Sequence, residues 1–164
     1  SHASMNERKV ERGDTLVTYC QGIASNYYTE LERTMYLGEP GAERRRFFEI
    51  VREAQKIALD LFHPGTPCKK IDEVVARFLA DKNCTQYTTH HQGHGLGLEF
   101  HEAPFLDVGD PTVLQVGMVM SVEPGIYVPG LGGFRHSDTV LVTPTGPKNL
   151  TPYPSEIEEL IISA

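Results

Sequence analysis

The sequence predicts an α+β fold in which a curved antiparallel sheet carries helices on one face. Three observations predict it. Two β-type segments precede Gly38; the apolar period then becomes helical from Glu43 to Ala80; beyond His90 the chain returns to short β-type segments separated by Pro and Gly turns. The chain has 164 residues and is 40% hydrophobic, enough for one compact core.

The first strand is T-L-V-T-Y-C-Q-G, entered from the Gly13-Asp14 turn. A second extended segment runs I-A-S-N-Y-Y-T-E-L-E-R-T-M-Y-L from Ile23. Its alternation puts Tyr28, Glu30, Glu32 and Thr34 on one face and Thr29, Leu31 and Arg33 on the other. Paired acids on one face read either as a solvated edge strand or as part of a site.

Gly38-Glu39-Pro40-Gly41 breaks the pattern. Phe47, Ile50, Val51, Ala54, Ile57, Ala58 and Leu61 then recur at helical spacing, which predicts an amphipathic helix over 43–62. His63-Pro64-Gly65 ends it. Thr66 is expected to cap a second helix with Pro67 at its first position, and Ile71, Val74, Val75, Phe78 and Leu79 form its buried face to about Ala80. Cys68 at its start reads as a packed or surface thiol. The segment from Ala103 to Gly117 reads as a loop, Met118–Glu123 and Ile126–Val128 as strands split by a Pro-Gly turn, and Gly130–Gly133 as a hairpin into F-R-H-S-D-T-V-L-V-T. The segment E-E-L-I-I-S is expected to form a last short strand.

The stretch from His90 to Glu123 concentrates chemistry. Four histidines, His90, His91, His94 and His101, fall within twelve positions, interleaved with Gly93, Gly95 and Gly97, and a hydrophobic strand then delivers Glu123 into a Pro-Gly turn. Imidazoles and carboxylates hold metal ions or move protons near neutral pH. The bland alternative is histidines on a loop. A dinucleotide fingerprint is a weak reading, because the glycines do not link a strand to a helix.

A net charge of −7 argues against nucleic acid or membrane as partner and leaves a small-molecule or dipeptide substrate. Cys20, Cys68 and Cys84 are scattered and form no Cys-x-x-Cys pair, which predicts a reduced cytoplasmic protein without a disulfide frame or structural zinc. Ser1-His2-Ala3-Ser4 before Met5 reads as an expression-tag remnant, so residues 1–5 are set apart from a single domain over 6–164.

With these elements in order, the chain resembles the pita-bread family of Xaa-Pro aminopeptidases, prolidases, methionine aminopeptidases and creatinase. The resemblance runs from Gly13 to the end. It rests on G-D-T-L-V, on Y-Y-T-E-L-E-R-T, on H-x-x-x-H-G-L-G-L-E-x-H around His94, and on M-V-M-S-V-E-P-G-I-Y with G-F-R-H-S-D-T-V-L-V-T. It implies a pita-bread sheet and, in the metallopeptidases, two metals held by two Asp, one His and two Glu. His94 and Glu123 stand at ligand positions and Glu30 where the second Asp belongs; Tyr19 and Ser137 replace the first Asp and the last Glu. The two-metal centre is therefore expected to be absent.

Creatinase works without metal, and its second strand is similar to Tyr27–Thr34. The resemblance then implies that Glu32 and Glu123 hold a cationic substrate, with Glu30 adding negative potential. His94, Glu123 and His101 are the catalytic candidates; Glu30, Glu32, His90 and Arg135 are the substrate-binding ones, Arg135 either holding a substrate carboxylate or balancing the acids.

Three functions are open. One is a metal-independent, creatinase-like hydrolase cleaving a C–N bond in a small cationic or zwitterionic substrate. Another is an Xaa-Pro dipeptidase or aminopeptidase with manganese, cobalt or zinc on Glu30, His94 and Glu123. The third is a non-catalytic pita-bread binding module. Relatives have a longer catalytic domain, so the chain is expected to be its C-terminal fragment, inactive alone, with an uncovered apolar patch and a homodimer as its association.

Overall fold

The structure is a computed structural model and describes residues 7–163, so the tag remnant expected at 1–5 lies outside the described residues. Strand β1 (Thr15–Ala24) pairs antiparallel with β2 (Tyr27–Leu37), from Thr15 opposite Tyr36 to Ala24 opposite Tyr27. Ser25 and Asn26 make the turn between them at φ 51° and 68°, the left-handed conformations a tight hairpin requires. This corrects the expected second segment: Ile23 and Ala24 finish β1, and the reversal falls inside what reads as one extended run.

Helix α1 (Ala42–Asp60) and helix α2 (Cys68–Asp81) follow. Their apolar stripes are buried as the spacing predicts, with Phe47, Phe48, Val51, Ala54 and Ala58 on α1 and Ile71, Val75 and Leu79 on α2. The start of α2 differs from expectation. Pro67 is the extended N-cap residue, no side chain caps the helix, and the Thr66 carbonyl instead accepts the Leu114 amide. Proline lacks an N–H to lose there. Cys68 is fully buried, which pushes its thiol up to about 11 and makes it a packing residue.

The remaining strands are β3 (His94–Gly95), β4 (Glu102–Phe105), β5 (Val119–Val122), β6 (Gly125–Val128), β7 (Gly132–Arg135), β8 (Ser137–Thr143), β9 (Gly146–Asn149) and β10 (Ile161–Ile162). Strand β4 begins the segment expected as a loop. The strand expected at E-E-L-I-I-S shrinks to β10, because residues 157–160 form a 3-10 turn held by reciprocal bonds between Glu156 and Glu159.

The main sheet has the order β1-β2-β8-β5-β3-β4, with β10 alongside β2 and β9 alongside β8; β6 and β7 form a separate hairpin. Both helices contribute to one core with Val122, Ile126, Phe134, Val140 and Val142. Full burial of each such side chain contributes roughly 1.5–3 kcal/mol. Strand β1 ends the strand order, and Tyr19, Ile23, Tyr27 and Leu98 are exposed on its hairpin and the neighbouring loop. No helix among the described residues is long and apolar enough to cross a membrane.

One junction positions everything that follows. Strands β2 and β8 meet over only two residue pairs, Leu31 with Asp138 and Glu32 with Ser137. On one side of these rungs the Thr139 hydroxyl sits between the strands, accepting the Glu30 amide at 2.8 Å and donating to the Glu30 carbonyl at 2.9 Å. On the other, the Thr34 hydroxyl accepts the Arg135 amide at 2.9 Å and donates to the Arg135 carbonyl at 3.1 Å.

Candidate active site

At this junction Glu30 and Glu32 project from β2, Glu123 from the end of β5, Arg135 from the end of β7 and Ser137 from the start of β8. Glu30 and Glu32 are 2% and 1% exposed and β2 lies inside the sheet, so the solvated-edge reading fails. A cleft of about 740 Å³ opens above them, lined by Tyr19, Glu30, Glu32, His90, His91, Phe100, His101, Glu123, Tyr127 and Arg135 among others.

His94 is fully buried at the base of this arrangement. Its amide donates to Ser121 Oγ at 3.0 Å, and Nδ1 lies 3.0 Å from the Gly95 carbonyl. A carbonyl only accepts, so Nδ1 carries the hydrogen and Nε2 turns the other way. Nε2 lies 3.2 Å from Glu123 Oε1 and 3.6 Å from Glu30 Oε2. Despite the distances, no aligned hydrogen bond from the described residues reaches this buried nitrogen. Burial lowers the His94 pKa, but the two carboxylates and the Gly95 carbonyl outweigh it and raise it to about 10. Burial raises Glu123, and His94 outweighs that in turn and brings it below the usual carboxylate range. Gly93 makes the close approach possible: a Cβ there would collide with the Ser121 carbonyl oxygen.

The Arg135 guanidinium lies against Glu32 Oε1 in a buried ion pair, and its other terminal nitrogen is 3.9 Å from Glu123 Oε2. Burial pushes Glu32 up to about 8 against the pull of Arg135, with Glu30 and Glu123 adding to the rise. Arg135 thus offsets the desolvation of Glu32 only in part. Ser137 Oγ donates to Glu30 Oε1 at 2.5 Å and so supports that carboxylate.

His90 is held from both sides. Its Nδ1 donates to the His91 carbonyl at 2.7 Å, which leaves Nε2 to accept the Tyr127 hydroxyl at 2.9 Å. Burial lowers the His90 pKa and pushes Tyr127 up to about 12. A Cβ at Gly125 would stand 3.0 Å from both His90 Nε2 and the Tyr127 oxygen, so only glycine leaves this bond undisturbed. His101 is exposed, its ring 4.0 Å from that of His94, and burial together with His94 lowers its pKa. Tyr19 stands opposite Glu32 in the hairpin, half exposed, edge-on to Phe100 at 6.0 Å.

All seven predicted site residues are therefore neighbours. Reading the sequence placed His91 in the histidine cluster without a role and missed Tyr127 and Phe100 as lining residues, although Tyr127 follows Gly125 at the strand period and stands in the quoted E-P-G-I-Y motif.

Glu30, His94 and Glu123 offer ligand atoms that all lie within 4.8 Å of one another, and among the described residues no other His, Cys, Asp or Glu joins them. Two carboxylate oxygens facing the unpartnered buried nitrogen of His94 fit one cation, with water completing the shell. They do not fit a pair of cations, because Tyr19 and Ser137 supply no bridging carboxylate.

Residues 1–144 match metallopeptidase family M24. The Xaa-Pro dipeptidase of Pyrococcus furiosus is 41% identical over 150 residues, which are 92% of this chain and 43% of that protein. The Xaa-Pro dipeptidase of Pyrococcus horikoshii is 39% identical with the same coverage. The crystal structure of the prolidase from Pyrococcus horikoshii OT3 superposes with a TM-score of 0.92 at 38% identity, covering 96% of this chain and 45% of that one. The chain thus spans less than half the length of the relatives it matches.

Proposed function

The chain belongs to metallopeptidase family M24 and has the pita-bread fold of its prolidase relatives, and from that premise we propose that it supplies the acid-lined half of a hydrolase cleaving a C–N bond in a small zwitterionic substrate of dipeptide size. The observation that carries this is His94 Nε2, buried, without an aligned partner and facing carboxylate oxygens of Glu30 and Glu123. Two carboxylates converging on an imidazole nitrogen require a proton or a metal cation between them.

Glu30, His94 and Glu123 would hold one ion of the manganese, cobalt or zinc class, and such an ion supplies an acidified water and polarises a carbonyl. The chain's own groups do the rest. Gly95 fixes the His94 tautomer, and Ser137 orients Glu30. Arg135 presents a positive charge to the cleft for a substrate carboxylate, while Glu32 keeps it in place. His101 faces the cleft from an exposed position, suited to carrying a proton to a leaving amine.

A second reading is the metal-independent, creatinase-like one, favoured by Tyr19 and Ser137 at two of the five ligand positions. There His94 carries its own proton between the two glutamates. The Arg135 guanidinium already occupies Glu32, so a cationic substrate is left with Glu30 and Glu123.

Metal counting separates the two. The chain is incubated with manganese, cobalt or zinc, desalted and weighed by native mass spectrometry. The single-cation reading expects one retained ion per chain, lost in Glu123→Gln and His94→Ala. No retained ion overturns it in favour of the second reading. Hydrolysis is then assayed in a protein of the relatives' length that carries this chain. Failure on Xaa-Pro, guanidino and N-methyl substrates alike would leave a binding module.

A further inference from the structure

Directly behind the cleft lies a buried ionic network that touches β2, the end of β5 and the β7–β8 junction, from which Glu30, Glu32, Glu123, Arg135 and Ser137 project. Arg33 is on the opposite face of β2 from Glu32, its side chain 2% exposed. All of its N–H groups are used. Nε donates to the Pro154 carbonyl, Nη1 to the carbonyls of Glu32 and Ser137 at 2.7 and 2.9 Å, and Nη2 to Asp138 Oδ1 at 2.7 Å and the Tyr153 carbonyl. Asp138 Oδ2 accepts Gln55 Nε2 at 3.0 Å. That same amide, fully buried on α1, also lies 3.2 Å from the Val122 carbonyl and 3.3 Å from the His136 carbonyl.

Four of the six carbonyls gathered in this way belong to the backbone of the site. Glu32 is itself a site residue, Val122 precedes Glu123, His136 lies between Arg135 and Ser137, and Ser137 holds Glu30. Every Arg33 N–H already has an acceptor, so the side chain cannot rotate to other partners without orphaning a buried charge. Strands β2 and β8 share only two rungs here, which leaves their relative placement to side chains.

We propose that Arg33, Asp138 and Gln55 are positioning residues that fix the spacing of Glu30, Glu123 and Arg135 through the backbone, without touching anything in the cleft. Arg33 sets β2 against β8, and Gln55 sets the end of β5 against the β7–β8 junction. The requirement is for donor geometry and not for charge, since Gln55 carries none and Arg33 bonds four carbonyls for one carboxylate.

The test compares Gln55→Leu and Arg33→Lys with Ile71→Val, a core change on α2 away from the site, under conditions where each melt shows a fully folded protein. Two readings are taken: affinity for manganese or zinc by equilibrium titration, and the His94 ring 1H–13C resonance at one pH, assigned with His94→Ala. Gln55→Leu and Arg33→Lys are expected to weaken the ion about 10-fold to 100-fold, as loss of supporting contacts does, and to move the His94 resonance. Ile71→Val is expected to do neither. Unchanged affinity and an unmoved resonance in folded Gln55→Leu overturn the proposal. If the parent chain binds no ion, the single-cation reading fails by itself, and the His94 resonance alone decides the positioning role.

Discussion

His94 Nε2 lies 3.2 Å from Glu123 Oε1, both groups buried, and no aligned hydrogen bond joins them. The Gly95 carbonyl takes the hydrogen on Nδ1, so the imidazole can reach the glutamates only through a proton or another cation on Nε2.

This relationship has a sign in pH. Without metal, the folded pKa of His94 is raised to about 10 from an ordinary value of 6.5. Its stabilisation is fully present below pH 6.5 and is lost as pH rises through about 10. Melting of chelator-treated protein from pH 6 to pH 10.5 should show that loss, at about 2–4 °C for each kcal/mol. Glu123→Gln should flatten the alkaline limb. An unchanged slope in that variant would rule out the His94–Glu123 interaction as its source.

His136 gives the opposite sign. It is fully buried, edge-on to Phe48 at 4.7 Å, with neither ring nitrogen partnered among the described residues, and burial holds its pKa well below 6.5. Its neutral form is the one the fold accepts, so its contribution is complete above pH 6.5 and stability is lost as pH falls below that value. His136→Leu removes buried polar atoms without partners and should stabilise by about 1–3 kcal/mol. Urea melts at pH 7 and pH 5 check it, with the larger gain expected at pH 5.

Arg135 and Glu32 should behave as a coupled pair. Arg135→Met leaves Glu32 buried with two other glutamates near it and is expected to cost about 3 kcal/mol. Adding Glu32→Gln should recover more than 1 kcal/mol of that loss. A double-mutant cycle in urea measures the coupling; strict additivity would mean the contact contributes nothing.

Gly125→Ala tests the packing around His90. The added methyl stands 3.0 Å from both ends of the His90–Tyr127 bond. It should cost about 1–3 kcal/mol through overpacking and displace the His90 ring resonance. Retention of both stability and resonance would mean that the neighbours yield freely.

Much of this arrangement was legible in the chain because it depends on local period. The stripes of α1 and α2 follow from helical spacing, and the common face of Glu30 and Glu32 follows from strand alternation. The histidine cluster and Glu123 announce themselves by residue type and by the quoted motifs. What stayed hidden depends on register. Arg33 pairs with Asp138 and Glu32 with Arg135 across more than a hundred intervening residues, and neither pairing has a local signature. The turn at Ser25-Asn26 was hidden for another reason: Ile23 before it and Tyr27-Tyr28 after it are β-formers that continue the pattern through it.

The two threonines at the β2–β8 junction have a consequence for the breadth of the cleft. Thr34 and Thr139 each place a hydroxyl where neighbouring strands would otherwise bond backbone to backbone. The strands are wedged apart by one oxygen atom on each side, and the acids stand in the opening. A methyl in either place would leave an amide and a carbonyl stranded until the wedge collapsed, carrying Glu30 or Arg135 with it. The gauge of the cleft thus depends also on its floor, on two hydroxyls that lie outside its lining.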